Sequence, residues 1–276
     1  MTGEGFEGHI DVPGGRLWAQ WAGDGPAVVL IHAGIADGRM WDPQWDALAA
    51  RHRVARYDCR GFGRTDTDAV PFSNRADAVA VMDAAGIDRA VVVGSSRGGA
   101  IALDTALEFP DRISGVVWVC GGVSGAEIED TPEELALGER EEALAEAKDW
   151  AGLADLDVAT WVDGLGQPPG RAPADVRALV RAMCLETYVQ EKPDGQPIVL
   201  DPPAFRRLET LRVPLLAIVG LLDLPATSIQ AGFLTERVPR ARRIDVPDVA
   251  HLPSLERPEW FTETLLGFLD EIEQAG

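Results

Sequence analysis

Cysteine is scarce in this chain. Three thiols, Cys59, Cys120 and Cys184, stand far apart among 276 residues. An odd, dispersed set forms neither a disulfide framework nor a metal-ligand spacing, which fits a reducing, cytoplasmic compartment. Positive charge is also short: 25 Lys and Arg face 45 Asp and Glu, for a net charge of −20. Such a surface repels nucleic acid and anionic membranes, so neither is expected as a partner. No apolar run is long enough to cross a bilayer. Met1–Gly8 carries no basic region and no apolar core, so no signal peptide is expected. Internal repeats and low-complexity tracts are missing too. Histidine is limited to His9, His32, His52 and His251. Any histidine chemistry must therefore come from one of four positions.

What is present is apolar residue in quantity, at 46%. The length suits one large α/β domain with an insertion. Strands are predicted at His9–Val12 and Arg16–Trp21, joined as a hairpin through Pro13-Gly14-Gly15. Val28–Ile31 and Val54–Asp58 read as core strands, with a helix near Asp42–Ala50 between them. A helix over Ser73–Ala85 leads to the apolar run Arg89–Val93, and Ile113–Val119 is the next strand. The run Pro214–Leu222 and the short Arg242–Val246 follow, and a helix at Pro258–Glu273 closes the chain. Alternating strands and helices, with runs of Val, Ile and Leu, predict a mostly parallel sheet covered on both faces.

The most informative segment is Gly94-Ser95-Ser96-Arg97-Gly98. It matches Gly-x-Ser-x-Gly, a sharp strand-to-helix turn that exposes a serine hydroxyl. The β-branched run before it and the helix formers Gly99–Leu107 after it supply the required context. Glycine on each side tolerates the strained dihedrals and close backbone approach of such a turn. Ser96 is thus the candidate nucleophile.

A serine hydroxyl needs a base, and the base needs an orienting acid. Asp223 lies at the end of the Pro214–Leu222 run, where open α/β sheets place their sites. His251 follows in the loop Pro247–Pro253, which gives the chain order Ser, Asp, His that this turn demands. Asp245 and Asp248 sit too near His251 in sequence to reach its ring from a separate strand end. His9 and His52 are expected to be solvated, the latter within the charged run Arg51-His52-Arg53. His32 precedes Ser96 and is expected to bond loop backbone. Acyl transfer also needs N–H donors for an oxyanion. The Arg97 amide is one candidate. The other is in the loop after Val28–Ile31, placed at Gly34 ahead of Ile35.

Together these pieces resemble the α/β-hydrolase family over nearly the whole chain outside its middle. The motifs stand as His32-Ala33-Gly34, Asp58-Cys59-Arg60-Gly61-Phe62-Gly63, Gly94-Ser95-Ser96-Arg97-Gly98-Gly99, Gly220-Leu221-Leu222-Asp223 and His251-Leu252-Pro253-Ser254-Leu255-Glu256-Arg257-Pro258. Two departures are visible: His32-Ala33 stands for the usual His-Gly, and Arg97 for a residue that is often apolar. The resemblance implies a core of residues 1–122 and 206–276 and a helical cap at 123–205. No strand is predicted within 123–205, whose helical stretches are broken by Pro168-Pro169-Gly170, Pro173 and Pro193-Asp194-Gly195. From Glu127 to Glu146 there are nine acids against one base, Arg140, and this run is expected to be a solvated helix face. Trp150, Trp161, Met183 and Tyr188 either line a pocket or pack the cap onto the core.

The implied activity is hydrolysis of a small ester, lactone or related acyl substrate through an acyl-enzyme. Ser96, Asp223 and His251 would be catalytic, and the Gly34 and Arg97 amides would form the oxyanion hole. No cofactor and no metal are required, the expected partner is a small-molecule substrate, and a homodimer is compatible with the sequence. Other chemistries on the same triad stay open, namely carbon–carbon bond hydrolysis, a lyase or cyclase step, and perhydrolysis. So does a non-enzymatic ligand receptor on the same scaffold.

Overall fold

A computed structural model describes residues 5–275 except 191 and 194. The part of the N-terminal reading that rests on Met1–Glu4, and the break at Asp194, lie outside the described residues. Strands are β1 (Phe6–Val12), β2 (Gly15–Ala22), β3 (Ala27–Ile31), β4 (Arg53–Tyr57), β5 (Asp66–Thr67), β6 (Pro71–Phe72), β7 (Ala90–Ser95), β8 (Ile113–Val119), β9 (Gln196–Pro197), β10 (Leu215–Gly220) and β11 (Ala241–Val246). Helices are α1 (Asp42–Ala49), α2 (Asn74–Ala84), α3 (Arg97–Glu108), α4 (Pro132–Glu146), α5 (Trp150–Asp157), α6 (Ala174–Val189), α7 (Pro225–Arg237), α8 (Pro253–Glu256) and α9 (Pro258–Ala275).

The main sheet runs β1-β2-β4-β3-β7-β8-β10-β11, with β5 paired to β2. Only the β1–β2, β2–β4 and β2–β5 pairs are antiparallel; every pairing from β4 to β11 is parallel. This is the mostly parallel α/β sheet expected from the sequence. Its strands alternate between two apolar cores. Val29 and Ile31 of β3, Val92 of β7 and Trp118 of β8 enter one core, which α2, α3 and α7 cover. Val28, Leu30, Val93 and Val119 enter the other, together with Leu48 of α1 and Phe261 of α9. Burial on both faces is why these runs carry almost no polar residue.

Three expectations need correction. The Pro214–Leu222 run is strand only to Gly220. A Cβ on Gly220 would lie 1.8 Å from the Ala250 carbonyl oxygen, so the His251 loop packs directly on the strand end, and beyond it the Leu221 and Leu222 amides donate to the Val246 and Val249 carbonyls. A short strand does occur within 123–205: β9 pairs with β6, because Val70 and Phe72 carbonyls accept the Gln196 and Ile198 amides. His52 is buried rather than solvated, at 1% exposure, with Glu273 Oε1 3.6 Å from its Nδ1. Burial pushes its imidazole down and keeps it neutral.

Between β8 and β10 the chain is largely helical, and local signals start its helices. Thr131 and Glu134 form a reciprocal capping box in front of α4, with Pro132 in the first turn. The Asp149 side chain accepts from the Gly152 amide and caps α5. The α5 helix runs directly into a π-helical turn over Val158–Val162.

Candidate active site

Ser96 sits between β7 and α3 with φ 55° and ψ −119°. A non-glycine residue is rarely held there, and the surroundings leave it no alternative. The Ser96 amide donates to Val119 of the neighbouring strand at 2.8 Å. A Cβ on Gly94 would fall 2.0 Å from the Gly98 carbonyl oxygen, and one on Gly98 would fall 2.3 Å from that of Ile31. Both glycines of the motif are therefore needed for backbone approach. The turn leaves Ser96 at the C-terminal edge of the sheet.

Asp223 lies three residues past β10. Its Oδ2 is 2.7 Å from His251 Nδ1, and its Oδ1 accepts from the Leu224 amide at 2.8 Å. Burial opposes ionisation of this carboxyl. The His251 ring, the Leu224 amide and Thr227 outweigh it and hold the carboxyl below the usual range. With Nδ1 engaged, His251 has Nε2 left for other work. The His251 amide donates to the Trp161 carbonyl at 3.2 Å, and the two rings lie 4.6 Å apart. The loop carrying His251 is anchored by Glu256, which accepts the Ala250 amide at 2.9 Å. Arg171 bonds Glu256 in turn, and also the carbonyls of Val162, Asp163 and Asp248. The one residue thus joins the π-turn to the histidine loop. Sequence reading passed over Arg171 because it follows the Pro168-Pro169-Gly170 break and its partner Glu256 is 85 residues away.

Ser96 and His251 line one cavity of about 550 Å³. Gly34 and Ile35 contribute from the loop after β3. The Arg97 amide occupies the first turn of α3, where no intrahelical acceptor exists. The Arg97 side chain turns away from the cavity. Its guanidinium stacks over Phe62 at 4.9 Å, and its Nη2 reaches Asn74. His32 bonds loop backbone, as expected: Nδ1 reaches the Ala33 carbonyl, and Nε2 accepts the Cys59 amide at 2.8 Å. A backbone N–H aimed at Nε2 fixes the neutral Nδ1–H form of that ring. Asp245 pairs with Arg243, and neither Asp245 nor Asp248 bonds His251.

The rest of the cavity wall comes from the helical segment. Gly138, Glu141, Glu142 and Ala145 belong to α4, Leu153 and Asp157 to α5, Trp161 to the π-turn and Tyr188 to α6. Of the four large residues left undecided by the sequence, Trp161 and Tyr188 line the cavity. Trp150 packs on Tyr188, with ring centroids 6.1 Å apart, and Met183 is buried in the core. Most of the acidic run is solvated, but Glu141 and Glu142 face the cavity. Tyr188 donates its hydroxyl to the Asp157 carboxylate. Burial pushes the Asp157 carboxyl up, against the pull of the Tyr188 hydrogen bond; burial and then the charge of Asp157 push Glu141 up.

One group of donor atoms has metal-ligand spacing among the described residues: Cys120, Asp223 and His251, all within 4.8 Å. Burial and the charge of Asp223 push the Cys120 thiol well up, so it stays protonated and is a poor ligand. The site fits its three groups to each other rather than to an ion. Among the described residues no helix is long and apolar enough to cross a membrane.

Residues 28–264 match the model of the alpha/beta hydrolase family. RutD of Azorhizobium caulinodans, to which carbamate hydrolysis is provisionally ascribed, is 31% identical over 89% of this chain and 92% of its own length. The 3-oxoadipate enol-lactonase 1 of Acinetobacter baylyi is 28% identical over 90% of each chain. The structure of Est816, an N-acyl homoserine lactone degrading enzyme, superposes with a TM-score of 0.73 at 28% identity, covering 95% of this chain and all of the other.

Proposed function

The chain belongs to the alpha/beta hydrolase family, and from that premise we propose that it hydrolyses a small ester, lactone or related acyl substrate with Ser96 as nucleophile. The observation that carries this reading is the 2.7 Å bond from Asp223 to His251 beside a cavity shared by His251 and the strained Ser96. His251 Nε2 takes the Ser96 proton as Oγ attacks the carbonyl carbon. Asp223 keeps the ring in its Nδ1–H form and stabilises the imidazolium. The amides of Gly34 and Arg97 receive the oxyanion. His251 then protonates the departing alcohol, and water activated by the same ring releases the acyl group. Residues 123–205 roof the cavity and set which substrates enter. The three free, buried cysteines support a reducing, cytoplasmic setting.

The test is labelling by a fluorophosphonate probe together with turnover of short p-nitrophenyl esters. Ser96→Ala abolishes both while the far-ultraviolet circular dichroism stays that of the native fold. Labelling at Ser95, or full activity in the alanine variant, would overturn the assignment.

A further inference from the structure

The wall that faces the candidate nucleophile is charged, and all its charge has one sign. Glu141, Glu142 and Asp157 line the cavity, and among the described residues no lysine or arginine does. Glu141 and Glu142 have no ion-pair partner among the described residues, although arginines neutralise many other acids of this protein. Asp157 is 4% exposed, and its hydrogen-bond donors, Tyr188, Cys184 and Trp161, are all neutral, so no cation balances it. Burying a carboxylate without a cation is unfavourable. Here the cost recurs within one cavity, on two helices, beside two aromatic rings.

Aromatic faces and carboxylates attract the same kind of group. A ring quadrupole favours a cation over its face, and a desolvated carboxylate favours it more strongly. Trp161 and Tyr188 supply the aromatic rings that line this cavity. Ile35, Ala145 and Leu153 supply apolar contact for the uncharged part of a ligand. An anionic substrate meets only repulsion on the same wall.

Resting on the reading of Ser96 as nucleophile, we propose that this site selects acyl substrates bearing a positively charged nitrogen, an ammonium or quaternary ammonium group. The cation lies against Glu141, Asp157 and the Trp161 and Tyr188 rings while the carbonyl reaches Ser96. Glu142, more exposed, steers it in.

The experiment compares butyrylcholine with its uncharged isostere 3,3-dimethylbutyl butyrate, so that shape is constant and only charge changes. Wild-type enzyme favours the cation in kcat/KM by at least about tenfold, the scale of one desolvated cation–π or ion contact. The preference falls toward unity in Glu141→Gln/Asp157→Asn. It weakens in the single variant Glu141→Gln, a half-buried position that keeps the fold. Raising ionic strength shrinks it in wild type through screening of the exposed charge. Equal or poorer use of the cation by wild type, with both esters turned over and Ser96 labelled, overturns the inference and leaves the hydrolase reading standing. If neither ester is turned over and Ser96 is unlabelled, the hydrolase reading fails. Choline binding, read by tryptophan fluorescence, then decides the recognition. Quenching by choline but not by 3,3-dimethylbutan-1-ol, lost in the double variant, upholds it, and no difference between the two overturns it.

Discussion

The sheet edge and the helical segment between β8 and β10 build one cavity by different means. At the edge, position is imposed by backbone. Gly94 and Gly98 admit carbonyls that a Cβ would strike, and Ser96 is fixed at φ 55°. In the helical segment, the cavity is lined by side chains, from α4, α5, α6 and the π-turn, rather than by a strained backbone. The difference separates labour. On the proposed reading, chemistry is held where backbone fixes position, and selection is held where a single side chain can change.

The sharpest way to test that division starts at the edge. Asp223→Asn cuts turnover by about 10⁴, by analogy with the protease triad in which the wrong histidine tautomer results. The loss is equal for cationic and neutral esters, because the acid touches His251 and not the substrate. Parallel kcat measurements on both substrates check this, and a loss confined to one substrate would blur the comparison.

Arg171 tests the seam between the two regions. Arg171→Ala leaves the buried Glu256 carboxylate without its cation, and breaking a buried pair costs about 3 kcal/mol. A denaturant titration reads that loss. Activity falls on every substrate as the His251 loop loosens, and Arg171→Lys recovers part of it. Stability unchanged by the alanine substitution would mean the seam holds without this residue.

The smallest effect belongs to the helical segment, and its sign is opposite. Asp157 has a folded pKa raised above its ordinary 3.8 by burial. Its contribution to stability is therefore fully present below about 3.8 and is lost as pH rises through the raised value. Asp157→Asn removes that penalty. Melting temperature rises relative to wild type at pH 7 by about 2–4 °C for each kcal/mol relieved, and rises less at pH 4. A variant more stable yet less selective for cations is the signature of a side chain retained for binding.

The legibility of the sequence divides along the same line. The strands near Ser96 could be read because burial on both faces forces Val, Ile and Leu into unbroken runs, as in Ala90–Val93. The turn at Ser96 could be read because only glycine fits beside it. Asp223 and His251 were reachable from their positions after strands and from their order. Whether Glu141 faces water or a cavity was not readable, since both faces of α4 are polar and its neighbours lie far along the chain. His52 looked solvated between two arginines, yet the last turns of α9 cover it. The direction of Arg97 depended on Phe62 and Asn74, contacts that local sequence does not announce.

The hydrogen bond from the His251 amide to the Trp161 carbonyl bears on how such proteins exchange parts. A helical segment transplanted from a relative would bring a new pocket, but it would also have to offer a carbonyl at the same point in space. Without it the histidine loop loses a tether at the moment the pocket changes. Grafts that preserve the π-turn over Val158–Val162 and Arg171 should therefore inherit both specificity and rate, whereas grafts cut between them should inherit specificity alone. The natural unit of recombination in this scaffold runs past the last pocket residue of the turn, as far as the arginine that ties it down.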